Sequence, residues 1–138
     1  MLEIRRLEAA DLPQVAALQA ASPEAAQWNP PDYFAFETWV ACDGESVAGF
    51  IALRETTPGE SEVLNLAVHP ASRRRGIARA LLARALAGHS GDVYLEVRES
   101  NAAALAFYAS SGFVTAGRRP KYYQNPPETG IVMKVQKW

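Results

Sequence analysis

The residues Val68-His69-Pro70-Ala71-Ser72-Arg73-Arg74-Arg75-Gly76-Ile77-Ala78 join an apolar, strand-like run to the most regular helical pattern in the chain. A helix start of this kind can hold an anion. Its first N–H groups have no partner within the helix, and the helix dipole favours negative charge there. Gly76 lets an oxygen approach the backbone closely, Ala78 is also small, and Arg73, Arg74 and Arg75 add positive charge where phosphates would sit. The segment has neither the Gly-Lys-Ser/Thr of a P-loop nor the G-x-G-x-x-G of a dinucleotide site. The plainer reading is a solvated basic helix start whose arginines oppose the dipole, a cost that a bound anion would offset. Both readings stand at this point.

The elements around this turn follow from periodicity and punctuation. Residues 2–7 read as a strand. Asp11 has the position of an N-cap, with Leu12 and Pro13 opening a helix to about residue 21. Ser22-Pro23-Glu24 can start a second, short helix ending near Trp28, and Asn29-Pro30-Pro31 reads as a loop. Residues 36–42 and 47–54 read as strands joined at Asp43-Gly44. A fourth strand covers 62–68. The best helix runs over 73–87, with Ile77, Ala80, Leu81, Arg84 and Ala85 on one face and Gly88 at the C-cap position. In the strand 92–98, Val93, Leu95 and Val97 share one face, and Tyr94, Glu96 and Arg98 the other. Ser100 or Asn101 caps a helix through Ser111, which Gly112 ends. Strands 113–122 and 131–137 flank the loop Asn125-Pro126-Pro127. This order is not a regular βαβ alternation, so a doubly wound sheet is not expected.

Composition bounds the function. The chain has 138 residues, 49% of them hydrophobic, enough for one domain and too few for two ordinary ones. It has no apolar run long enough to span a membrane, and its first six residues do not read as a signal peptide, so the expected location is cytoplasmic, with no membrane partner. Cys42 is the only cysteine and His69 and His89 the only histidines, so no internal disulfide forms and no metal site is expected. Net charge is −1, but residues 1–66 carry 11 acids and 3 arginines, and residues 67–138 carry 4 acids and 11 bases. The halves therefore stand at −8 and +7. The arginine cluster has no accompanying nucleic-acid motif, so no nucleic-acid partner is expected.

The strand, the V-x-P, and the R-x-x-G-x-A that opens a helix together resemble the acetyl-CoA-binding motif of the GNAT N-acetyltransferases. The later block Leu95-Glu96-Val97-Arg98-Glu99-Ser100-Asn101 through Tyr108, then Gly112-Phe113, then Tyr122-Tyr123, is similar to one branch, the RimI-type ribosomal-protein-alanine N-acetyltransferases. The resemblance is specific over about residues 62–125 and rests on element order over residues 1–61. It implies a single GNAT domain over residues 1–138, of the α/β (α+β) class, with a mixed central sheet of about seven strands and four helices.

The same resemblance implies roles. The backbone of Leu66, Ala67 and Val68 would line the pantetheine arm of acetyl-CoA, with an N–H near Val68 placed for the thioester carbonyl oxygen. Arg73, Arg74, Arg75, Gly76, Ile77 and Ala78 would hold the pyrophosphate. Asn101 would touch the cofactor or act simply as an N-cap. Tyr108 would serve as general acid toward the CoA thiolate, against a plain role as a core aromatic. Glu96 would be the base, against a surface glutamate paired with an arginine; His69 is the competing base because its ordinary pKa suits the task. Trp28, Tyr122 and Tyr123 would face the acceptor, or pack as ordinary aromatics.

The implied reaction is direct acetyl transfer in a ternary complex to a primary amine, without a metal. An α-amine is deprotonated far more readily than a lysine, so a modest carboxylate base suits a protein N-terminus. The acidic first half would attract such a cationic acceptor. A small-molecule amine or a protein lysine is the alternative acceptor, and an acetyl-CoA-binding regulatory module the non-enzymatic alternative. A monomer or weak homodimer is expected. The sequence departs from the branch at Gln27-Trp28-Asn29, where Pro-Trp-Ser is more usual, and at Glu128-Thr129-Gly130, where Glu-Asp-Ala is more usual.

Overall fold

The computed structural model describes residues 2–23, 25–73, 76–124 and 126–137, with the side chains of Lys121 and Lys137 left aside. Arg74 and Arg75, two of the expected phosphate ligands, therefore lie outside the described residues. Seven strands form one mixed sheet: β1 (Leu2–Arg6), β2 (Glu37–Asp43), β3 (Ser46–Thr57), β4 (Glu60–Val68), β5 (Gly91–Arg98), β6 (Val114–Tyr123) and β7 (Glu128–Lys137), in the order β1-β2-β3-β4-β5-β7-β6. Among the described residues, three α-helices accompany them: α1 (Leu12–Ala20), α2 (Ile77–Leu86) and α3 (Ala102–Ser110). Among the described residues, no helix is long and apolar enough to cross a membrane.

The chain divides into two compact units. The first comprises residues 1–54 and 63–89, the second residues 55–62 and 90–138. In the first unit β3 is buried continuously from Val47 to Leu53, as expected of a strand covered on both faces. Val40, Phe50 and Ala52 pack with Val15 and Leu18 of α1 and with Tyr33. On the other face of β2, the Arg84 guanidinium of α2 stacks 4.1 Å from the centre of the Trp39 ring. Gly49 is required here, because a Cβ would lie 3.0 Å from the Ala67 carbonyl oxygen and 3.2 Å from side chains of Leu81 and Val68. In the second unit the parallel β4–β5 ladder is set by Glu60–Asp92, Ser61–Val93 and Glu62–Tyr94. There β7 runs antiparallel between β5 and β6.

Three expectations change. Among the described residues of 22–28 the expected helix does not form. A six-residue 3-10 segment, Pro30–Ala35, stands just after it. Prolines fit the first turn of a helix and not its interior, so the paired prolines start a turn instead of closing a loop. The carbonyls of Gln19, Ser22 and Ala25 are satisfied by the side-chain amide of Gln27, at 3.0, 3.1 and 3.0 Å. Helix α2 begins at Ile77, not at residue 73. A 3-10 turn over Pro70–Ser72 and a left-handed Gly76 (φ 75°) precede it, so Arg73 sits in the approach to the helix. Gly88 is not a left-handed C-cap; α2 closes through Ala87 in helical conformation and a His89 N–H bond to the Leu86 carbonyl. Gly112, by contrast, takes φ 98° where α3 ends.

Asp11 also differs from its expected role. It belongs to a short 3-10 turn and makes no side-chain cap to α1. Its buried carboxylate accepts two bonds from the Arg5 guanidinium, at 2.8 and 2.9 Å, and one from the Glu8 N–H at 2.8 Å. The Arg5 bond holds the Asp11 carboxyl below the usual carboxylate range, against the opposing effect of burial. A depressed folded value stabilises the fold above the unfolded pKa, about 3.9, and that contribution is lost as pH falls through the folded value. Asp11→Asn is therefore expected to cost about 2 kcal/mol near neutral pH. Urea unfolding should show the gap between the two proteins narrowing as pH falls below the unfolded value. An equal gap at neutral and acidic pH would remove the ion pair from this account.

Candidate functional site

Strand β4 alternates along its length. Ser61, Val63, Asn65 and Ala67 are buried, while Leu66 and Val68 are half-buried on the other face. The Leu66 N–H donates to its neighbour's side chain, Asn65 Oδ1, at 3.0 Å. The Asn65 amide nitrogen donates to the Ala26 carbonyl at 2.9 Å and to the Tyr33 hydroxyl at 2.7 Å. Tyr33 in turn donates to Gln19 Oε1, and Gln19 Nε2 donates to the Trp28 carbonyl at 2.8 Å. Burial pushes the Tyr33 phenol up to about 12, so it stays a neutral donor. Trp28 stacks on Tyr33 at 4.9 Å and against Phe36 at 5.3 Å. The segment carrying Trp28 is thus bound to the strand expected to line the pantetheine arm. Three polar residues far apart in sequence make that link. Sequence reading missed Gln19, Tyr33 and Asn65, whose side chains carry no local pattern.

The approach to α2 opens on a glycine. Gly76 is left-handed, and a Cβ there would meet nothing within 4 Å. Its glycine therefore serves the backbone conformation and leaves open space at the start of a ten-residue helix. Arg73 folds back, its Nε donating to the Val68 carbonyl at 3.2 Å and its Nη2 to Ser22 Oγ at 3.3 Å. Ile77 is buried in the core and Ala78 follows it in the first turn of α2. His69 caps the 3-10 turn, its Nδ1 accepting the Ala71 N–H at 3.1 Å, and its own N–H pairs with the Ala48 carbonyl at 2.8 Å. That is the part of a turn residue.

In the second unit, the β5 alternation places Tyr94, Glu96 and Arg98 on the half-buried face. Arg119 of β6 reaches Glu96, with Nη1 donating to Oε1 at 3.0 Å. The other carboxylate oxygen, Oε2, is buried and has no hydrogen-bond partner among the described residues. The Arg119 guanidinium lies 3.8 Å from the centre of the Tyr122 ring. Tyr122 is 44% exposed and meets Tyr123 edge-on at 5.1 Å. Arg98 stacks over Tyr123 at 4.3 Å and pairs with Glu128 at 3.3 Å. Burial, and then the negative charge of Glu96, push the Tyr123 phenol up. Glu128 accepts the Ser100 N–H, and the Ser100 side chain, then that N–H, ahead of Arg98, hold its carboxyl below the usual range.

On α3, Asn101 is the N-cap, its Oδ1 accepting the Ala104 N–H at 3.1 Å. Tyr108 is 8% exposed and packs edge-on with Phe107 and Phe113, at 5.1 and 5.4 Å. Burial alone pushes its phenol well up, so it is a neutral hydrogen-bond donor throughout the physiological range. The structure thus joins Glu96 with Tyr122 through Arg119. Arg119 is the site residue that sequence reading missed. Its one available signal is its neighbourhood to Tyr122-Tyr123 in the chain.

Over residues 1–113 the sequence matches the Acetyltransferase (GNAT) family, and the chain belongs to that family. It is 31% identical, over 98% of its own length and 97% of the relative's, to a ribosomal protein bS18-alanine N-acetyltransferase of Escherichia coli. It is 49% identical over 78 residues to the N-alpha-acetyltransferase RimI of Mycobacterium tuberculosis. The chain spans 49% of that protein, and 21% of a longer uncharacterised protein of Mycobacterium leprae that it also resembles. Among solved structures, the ribosomal-protein-S18-alanine N-acetyltransferase of Escherichia coli superposes with TM-score 0.83 at 29% identity, covering 99% of this chain and 94% of that one. Ard1 of Thermoplasma volcanium does so with TM-score 0.90 at 26%, covering 99% and 98%.

Proposed function

We infer that this chain transfers the acetyl group of acetyl-CoA to the α-amine of a protein N-terminus, such as that of a ribosomal protein, by direct transfer in a ternary complex in the cytoplasm. The observation that carries the reading is the Glu96 carboxylate, held at one oxygen and unpartnered at the other. A carboxylate in that condition is an acceptor for the proton an amine must lose on becoming an amide. At neutral pH roughly one α-amine in seven is already neutral, against fewer than one lysine in a thousand. A glutamate therefore suffices for the first and is poorly matched to the second. Relatives acting on protein α-amines support the same acceptor.

The left-handed Gly76, the open start of α2 and Arg73 fit the phosphates of the donor, with Ile77 and Ala78 supplying backbone there; Arg74 and Arg75 belong to the same proposal. Leu66, Ala67 and Val68 would offer backbone groups to the pantetheine arm, and Asn101 would border it. Acetyl-CoA supplies the activated acyl group. Tyr108 hydrogen-bonds the departing sulfur, Glu96 receives the amine's proton, and Trp28, Tyr122 and Tyr123 hold the acceptor chain. The test is a pair of lysine-containing peptides, one with a free N-terminus and one blocked. Acetylation of the free α-amine alone is expected. Equal turnover on the blocked peptide's lysine would overturn the acceptor assignment.

A further inference from the structure

The strand register puts Glu96 and Arg119 on strands that do not touch. Glu96 of β5 is paired with Val132 of β7, and Arg119 of β6 with Gly130 of β7. The guanidinium therefore spans the width of β7 to reach the carboxylate, and neighbouring strands lie about 4.8 Å apart. It crosses the chain where β7 has no side chain. A Cβ on Gly130 would lie 2.7 Å from Glu96 Oε2 and 3.2 Å from Tyr122 Cδ2. The missing side chain is thus the seat of the carboxylate itself, which gives a physical reason for glycine where the branch more often has alanine.

This arrangement constrains a flexible side chain. A glutamate has three rotatable bonds, and a base that wanders among rotamers loses reactive geometry. Here Oε1 is tied to Arg119, Arg119 lies flat on the Tyr122 ring, and Oε2 rests over Gly130. The Glu96 side chain is 15% exposed and that of Arg119 is 53% exposed. The arginine is thus a clamp applied from the solvent side, and it contributes little to the core. Among the described residues, the three strands also carry Tyr94 and Arg98 on β5, Lys134 and Glu128 on β7, and Arg118, Tyr122 and Tyr123 on β6. Of these, Arg98 is engaged by Glu128 and Tyr123, and Lys134 lies over the Tyr94 ring. Glu96 forms its ion pair with Arg119.

We propose that Arg119 is a positioning residue for acetyl transfer. It clamps Glu96 across the side-chain-free Gly130 so that one carboxylate oxygen stays bound to the guanidinium and the other stays free to take the amine's proton. The inference rests on Glu96 being the base. Arg119 touches neither substrate in this account; it acts through Glu96.

The test is a double-mutant cycle on the full chain, with a free-N-terminus peptide and acetyl-CoA as substrates. Arg119→Gln is expected to lower kcat by about tenfold, with KM for acetyl-CoA within about twofold of wild type and an unchanged melting temperature. Arg119→Lys keeps a cation on a long stem and is expected to recover part of the loss. In a Glu96→Gln background, Arg119→Gln is expected to cost nothing further, because residues acting through one group are not additive. Losses that multiply in the double variant would overturn the clamp. So would an unaltered kcat in Arg119→Gln beside an impaired Glu96→Gln. A Glu96→Gln enzyme with wild-type kcat would overturn the base assignment and the inference with it.

Discussion

Glu96→Gln is expected to lower kcat on a free α-amine by about a hundredfold, the lower range for loss of a positioned general base. The substitution is nearly isosteric and keeps an oxygen for Arg119, so the 3.0 Å contact loses its charge but not its shape. Affinity for acetyl-CoA should be unchanged, because the donor is assigned to other residues. An unaltered kcat in the Gln variant would pass the role to His69 or to bulk water. His69 is poorly placed for it, since its Nδ1 already accepts the Ala71 N–H.

Tyr108→Phe is expected to lower kcat by about ten- to a hundredfold while leaving acetyl-CoA binding within about twofold. The ring would keep its edge-on contacts with Phe107 and Phe113, so packing survives and only the hydroxyl is lost. Burial holds the phenol neutral, which suits a donor to developing negative charge on sulfur. Because that group stays protonated across the working range, its removal should lower the whole pH profile without moving either limb. Release of free CoA thiol measured from pH 6 to 9 would show this. A variant with full kcat would make Tyr108 a core aromatic and nothing more.

The charge asymmetry of the sequence has a partly local resolution. Three of the bases in the second half pair with acids of the same half: Arg98 with Glu128, Arg118 with Glu99, and Arg119 with Glu96. Arg5 pairs with Asp11 and His89 with Glu37 inside the first unit. Of these contacts the His89–Glu37 one joins the two sequence halves, while the others each stay within one half. The basic excess that remains includes the arginines before α2, where the phosphates of the donor are assigned.

Much of the site was legible in the sequence because its signals are local. Gly76 is glycine because a left-handed residue must precede α2. Alternation along β5 places Glu96 opposite Val93, Leu95 and Val97, whatever the rest of the chain does. Asn101 caps α3 through a bond three residues away. These features depend on backbone chemistry over a few residues, and the sequence by itself determined them, together with the family they resemble. Helix boundaries were less secure. Prolines at 30 and 31 and the turn at Pro70–Ser72 moved two of them, because a proline starts one kind of turn as readily as it ends another.

What only the tertiary structure decided is which distant side chains meet. Tyr33, Gln19 and Asn65 come from three elements, and nothing in their spacing announces a shared hydrogen-bond network. Arg119 and Glu96 are 23 residues apart on strands separated by β7. Their contact depends on the register of two strand pairs at once, and a one-residue slip in either would turn one of them to the opposite face. The register also explains Gly130, which no turn or positive φ requires. It is small because a carboxylate from one neighbouring strand and an arginine from the other need the space above it.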